Sequence, residues 1–119
     1  NITGNNKYYA GGGGGMSSRS NTVSAGGNGG GGAGSRYATA AGSVSEIIAI
    51  SGTNGLGGGG GGAGYPTNAG TGGAGAVIIK LPTSYTISVT GSPILNPDGA
   101  VSGNYIYEFG TGGGTFTIS

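Results

Sequence analysis

The chain has no cysteine, no histidine and no tryptophan, and only 6% of its 119 residues are charged. Without cysteine there are no disulfides and no thiolate chemistry. Without histidine the usual zinc ligand sets and the ordinary general base are missing as well. Four lysine and arginine residues against three acidic ones leave a net charge of +1, too little to steer the chain toward nucleic acid or an acidic membrane surface. No stretch approaches the roughly 18 consecutive apolar residues of a membrane span. The polar start, with Thr3, Asn5 and Asn6, is no secretion signal, and the chain reads as a portion of something longer.

Motifs for chemistry are equally scarce. Glu46, Asp98 and Glu108 are isolated along the chain. Any two could in principle form a glycosidase pair, but simpler roles are Asp98 in a turn and Glu46 and Glu108 on solvent faces of strands. Residues 70–75 fit the G-x-G-x-x-G pattern, yet a dinucleotide site needs strand, glycines and then helix, and here a strand follows the glycines. No Gly-Lys-Ser/Thr exists, which excludes a phosphate-cradling loop. Arg19 and Arg36 are followed by Ser20 and Tyr37, so there is no arginine-glycine repeat for RNA. The sequence therefore points to a protein that is not an enzyme and needs no metal or cofactor.

What the chain has is glycine, 34 residues of it. Two uninterrupted runs occupy 11–15 and 57–62, and diluted versions occupy 26–34 and 70–76. Such runs cannot be helix or ordinary strand interior, because each glycine loses much backbone entropy on ordering and has no side chain to bury. They are disordered linkers or elements that pack backbone on backbone. Low charge and 34% hydrophobic residues argue for order, since disordered segments usually combine low hydrophobicity with high charge. Ordered glycine can take the left-handed polyproline II form with three residues per turn, and residues 57–62 would then span roughly 19 Å. Rods of that kind can be approached from every side and satisfy their N–H and C=O groups laterally. Gly11, Gly13 and Gly15 of the first run and Gly57, Gly59 and Gly62 of the second are the expected rod positions. Packed rods are expected to leave no concave apolar cavity of a few hundred Å³.

The runs belong to an approximate tandem repeat. Ile2-Thr3-Gly4-Asn5-Asn6 leads into the first run and Ile50-Ser51-Gly52-Thr53-Asn54 into the second, dividing the glycine-rich region 1–81 into repeats 2–49 and 50–81. Strands are predicted at 44–50, 76–81, 85–89, 104–109 and 115–118, from β-branched runs bounded by Gly and Pro. Tyr85, Ile87 and Val89 fall on one face. Asn96-Pro97-Asp98-Gly99 reads as a turn. Of the 34 glycines 27 precede residue 77, so 82–119 is expected to be a small antiparallel β unit. The fold class is all-β and irregular: polyglycine II helices packed as a glycine-rich sandwich, short antiparallel strands, and no α-helix.

Several of these segments together resemble a known kind of protein. They are Tyr8-Tyr9-Ala10 running into the first glycines, the Ser/Asn-rich insert, Gly-Gly-Asn-Gly-Gly-Gly-Gly-Ala-Gly at 26–34, and Gly72-Gly73-Ala74-Gly75-Ala76-Val77-Ile78-Ile79-Lys80. The order is similar to the glycine-rich repeat regions of bacteriophage tail-fibre adhesins and related extracellular fibre proteins. The resemblance implies a non-enzymatic structural or adhesive fibre on a virion or cell surface. Its partners would be fibre neighbours or copies of itself, and a host receptor or glycan touched by the connecting loops.

The loops 16–24 and 65–69 are polar and differ in length, which makes Met16, Ser17, Ser18, Arg19, Asn21, Tyr65 and Asn68 the expected receptor contacts. Tyr8, Tyr9, Tyr37 and Tyr65 either stack on sugar rings or bracket the ends of rods. Phe116 and Ile118, on the last predicted strand, form an expected assembly edge. Asn1 opens an N-glycosylation sequon, Asn1-Ile2-Thr3. The alternatives are a subunit of a self-assembling cell-surface filament, and, of lower weight, an ice-binding module or a low-complexity spacer.

Overall fold

The computed structural model describes residues 2–18, 22–37, 46–96 and 101–119. The chain divides into two compact units, Tyr8–Gly75 and a second built from Asn1–Lys7 with Ala76–Ser119. The described residues contain no α-helix, and none is long and apolar enough to cross a membrane. In chain order the strands are β1 Ser17–Ser18, β2 Arg36–Tyr37, β3 Val77–Pro82, β4 Ile87–Val89, β5 Ile94–Leu95, β6 Asn104–Phe109 and β7 Phe116–Ile118.

The unit Tyr8–Gly75 is held together by backbone bonds between glycine-bearing tracts. Gly11, Gly14 and Ser17 donate to the carbonyls of Gly29, Gly32 and Ser35 at 3.0, 2.9 and 2.9 Å. Gly59 and Gly62 donate to Gly11 and Gly14, and Gly32 and Ser35 donate to Gly59 and Gly62. In each of these pairs both residue numbers rise by three, so the tracts at 10–17, 29–36 and 57–63 run parallel. The tracts at 23–27, 47–54 and 69–75 run against them. Gly34 donates to Ser24 and Gly31 to Gly27; Ile50 and Thr53 donate to Ala33 and Gly30; Gly70 and Gly73 donate to Gly61 and Gly58. The 47–54 and 69–75 tracts are parallel to each other, with Gly52 and Gly55 donating to Thr71 and Ala74.

Glycine is required here by proximity. The position that a Cβ would take at Gly13 falls on the carbonyl of Gly60, and at Gly61 on the carbonyl of Ala33. The hydrogen glycine carries there points at the oxygen, the geometry of a Cα–H···O contact. Other positions of the same run differ. Nothing lies within 4 Å of the corresponding position at Gly12 or Gly15, so the open face also recurs every three residues.

The expected rod positions therefore separate. At Gly11 and Gly13 the Cβ direction is blocked by neighbouring backbone, and the Cβ position at Gly59 lies 2.9 Å from the Gly13 nitrogen. At Gly62 the nearest atom is 3.4 Å away, and Gly15 is open. Gly57, with φ +68°, belongs to a turn, where a left-handed backbone is what glycine provides.

The predicted strand at 44–50 gives way to this lattice. Only Ile47 bridges, to Arg36, and Ile50 and Thr53 donate three residues apart to the neighbouring tract. A segment bonded to tracts whose lateral hydrogen bonds recur every third residue adopts that spacing, which a two-residue strand repeat cannot match. Val44 and Ser45 lie outside the described residues. The two repeat leaders also take different places, since Ile50–Asn54 is part of a lattice tract while Ile2–Asn5 belongs to the other unit.

In that other unit β6 is the centre of the sheet β3-β6-β5, antiparallel to both neighbours, and β4 and β7 form a separate antiparallel ribbon. The unit boundary falls at 75/76 because β3 pairs with β6 over its whole length. Of the 85–89 prediction, only Ile87–Val89 is strand; Thr83 and Tyr85 donate to Gly103 and Pro82 in a turn. β5 was not predicted, because two residues behind Pro93 make no readable run. Alternation along β6 puts Ile106 and Glu108 on one face, both buried, while Tyr105, Tyr107 and Phe109 take the other.

Glu108 is a correction to its expected solvent-facing role. It sits opposite Ile78 and Ile94 in register, and Lys7 Nζ donates to its two carboxylate oxygens at 2.8 and 2.7 Å. On the opposite face Tyr107 meets Phe116 edge-on at 5.4 Å, joining the sheet to the ribbon. Asn96, left-handed at φ +48°, ties β5 to β6: its N–H donates to the Ile106 carbonyl and its Oδ1 accepts from the Ile106 N–H. Pro97, Asp98 and Gly99 of the predicted turn lie outside the described residues.

Candidate functional site: one end of the glycine lattice

Because successive tracts alternate in direction, the connections of the Tyr8–Gly75 unit sort to two ends. One end carries the tight turns at 28–30 and 54–57, where Gly29 and Gly30 have φ of +95° and +87°. The other end receives the chain after Ser17–Ser18, after Arg36–Tyr37 and at 64–68. Here β1 pairs in parallel with β2, and Arg36 and Ile47 exchange backbone bonds at 2.9 and 3.2 Å.

Most of the expected contact residues meet at this second end. The Met16 Cε lies where a side chain on Gly64 would go, 2.6 Å from that Cβ position, so Met16 sits beside the residue that leads into the 65–69 loop. Ser17 and Ser18 are half-buried and exposed. Tyr65 is 96% exposed, and Asn68 is exposed beside it. Arg19 and Asn21 lie outside the described residues, as does Asn1 with its sequon.

The loop is shaped by its own bonds: Thr67 donates from both N–H and Oγ1 to the Gly64 carbonyl, at 2.8 and 2.7 Å. It overhangs the 47–54 tract and leaves an open groove of about 460 Å³. The groove is open and lined by polar as well as apolar side chains, so it is not the enclosed apolar cavity that packed tracts are expected to lack. Backbone packing fills the interior, but a loop longer than a tight turn stands clear of its neighbouring tract. Glu46, Ile48 and Ser51 line one wall of the groove, and Pro66, Thr67 and Asn68 the other. Glu46 was legible only as an isolated surface acid. Its place opposite Asn68 depends on the antiparallel return of the chain, which no local signal records.

The expected assembly edge lies in the other unit. Phe116 is half-buried against Tyr107, while Ile118 is 48% exposed. Among the described residues no group of three acidic, histidine or cysteine side chains could hold a metal ion. No protein-family model, curated protein or solved structure matches the chain.

Proposed function

We propose that the chain is a non-enzymatic structural and adhesive component of an extracellular fibre, such as the distal part of a phage tail fibre, whose looped end contacts a host surface. In this reading residues 8–75 fold as six polyglycine II helices in a two-layer sandwich. The three-residue spacing of the lateral bonds supports this, since three residues per turn is the repeat of that helix. So do the bonding partners, which sort the tracts at 23–27, 29–36 and 47–54 into one row and those at 10–17, 57–63 and 69–75 into another. The observation that carries the functional reading is that the tract ends at Ser17–Ser18 and Arg36–Tyr37 and the 64–68 loop, with exposed Tyr65 and Asn68, share one end of a lattice whose own bonds involve little but backbone. Such a scaffold tolerates change in its loops, as a receptor-binding surface requires.

Replacing residues 16–24 by a short Gly/Ser linker should leave the melting profile by circular dichroism unchanged while altering adhesion or receptor range. Unaltered adhesion would remove the fibre-tip role. A second reading, a subunit of a self-assembling cell-surface filament, is favoured by the exposed Val77, Ile94, Leu95 and Ile118 of the short sheets, since strand edges beside exposed apolar side chains are suited to pairing with another copy. Deleting 115–119 should then stop polymerisation seen by electron microscopy, with the loop replacement nearly silent.

A further inference from the structure

We propose that the groove between the 47–54 tract and the 65–69 loop binds a neutral hexose, the terminal sugar of a surface glycan. The inference deepens the fibre reading and rests on it. Its volume of about 460 Å³ lies within the roughly 300–1,000 Å³ range of small-ligand sites, and its wall chemistry narrows the occupant.

Each polar group has a defined role left to play. Ser51 Oγ already accepts from the Thr71 N–H and hydroxyl, both at 3.1 Å, so the hydrogen of Ser51 is what it can offer. Thr67 has used its hydroxyl hydrogen on the Gly64 carbonyl and presents lone pairs. The Glu46 carboxylate only accepts, and the Asn68 amide does both. Ile48, 69% exposed, and Pro66 add apolar surface between them.

That mixture excludes the other ligand classes in turn. An anion is repelled by Glu46. A purely apolar ligand would strip water from the carboxylate without replacing its hydrogen bonds. A cation meets one carboxylate but wastes the donors of Ser51 and Asn68. A pyranose supplies hydroxyls that donate to Glu46 and Thr67 and accept from Ser51 and Asn68, with a C–H face for Ile48 and Pro66. The wall is also preset: Ser51 is held by Thr71, and its tract by the bonds of Gly52 to Thr71 and Gly61 to Ile50, so little ordering is required on binding.

The test is saturation-transfer NMR on the whole chain with glucose, galactose and mannose, and with glucosamine and glucuronate as charged controls. Transfer is expected to at least one neutral hexose and not to glucuronate, whose carboxylate Glu46 repels, while glucosamine, which keeps the pyranose hydroxyls and offers an ammonium to Glu46, should transfer alongside the neutral sugars. Affinity should fall about tenfold or more in Asn68→Ala and in Glu46→Ala, the loss expected for one hydrogen-bonding partner, at unchanged circular dichroism melting. Because melting is followed separately, a variant that fails to fold is recognised, and Asn68→Asp, which keeps the side-chain shape, then takes its place with the same expected loss. No transfer to any neutral hexose, transfer to glucosamine alone, or transfer indifferent to the substitutions would overturn the proposal. Cell adhesion measured on the same preparations keeps the two readings apart: adhesion without hexose transfer removes the groove and leaves the fibre, whereas transfer without adhesion or assembly does the reverse.

Discussion

A methyl group at residue 13 will destabilise the Tyr8–Gly75 unit by about 3 kcal/mol, the upper range for overpacking a close-packed interior. The same group at residue 12 will leave the unit unchanged or firmer by about 0.5 kcal/mol, because alanine restricts the unfolded chain. The two glycines are neighbours in a run of five, and composition cannot tell them apart. The difference lies in what surrounds them. At Gly13 the new carbon would meet the Gly60 carbonyl and the Gly61 nitrogen, all backbone, so no rotamer change can make room. At Gly12 it would enter open space. Thermal melts of Gly13→Ala and Gly12→Ala, followed by circular dichroism, should separate by well over ten degrees for a unit of this size. Equal melting would mean that the tracts are not packed on one another.

The second large effect is expected at Lys7. Lys7→Met removes the cation from a carboxylate held between Ile78 and Ile94, with the Glu108 side chain only 6% exposed and that of Lys7 29%. Breaking a fully buried pair costs about 3–5 kcal/mol. The partial exposure of Lys7 lets water take some of its place, which brings the expected loss to about 2 kcal/mol. The double replacement Lys7→Met with Glu108→Met should recover much of it, because no unpaired charge remains. Near-ultraviolet circular dichroism of the Tyr105, Tyr107 and Phe116 cluster reports on this sheet. A Lys7→Met variant as stable as the parent chain would show that the pair contributes nothing to holding residues 2–7 against β6.

How much of this was readable in the sequence depends on the range of the signal. β3, β6 and β7 were legible because their apolar, β-branched and aromatic residues form runs between glycine and proline, a local property. The absence of helix among the described residues was legible for the same reason. Glu108 was misplaced because strand alternation alone leaves open which face is inward. The choice was made by Lys7, 101 residues away. The predicted strand at 44–50 failed because its two-residue pattern was overruled by neighbours that bond every third residue. In the candidate site, Met16 and Tyr65 were foreseen as loop residues, but Glu46 and Ser51 were not. Their part in the groove comes from which tract lies beside which, and glycine-rich segments with so few side chains do not encode that order locally.

The scarcity of buried side chains sets an unusual heat capacity. Among the described residues Ile106 is the only buried hydrophobic side chain, and it lies outside the Tyr8–Gly75 unit, whose interior is peptide groups bonded to peptide groups. Unfolding that unit releases little hydrocarbon and much amide into water, and these change the heat capacity in opposite directions. The increment should therefore fall well below the ordinary value of about 12–15 cal/mol/K per residue. With so little curvature, the free energy of the unit should change almost linearly with temperature and keep rising on cooling, where proteins built on an oily core reach a maximum and then weaken.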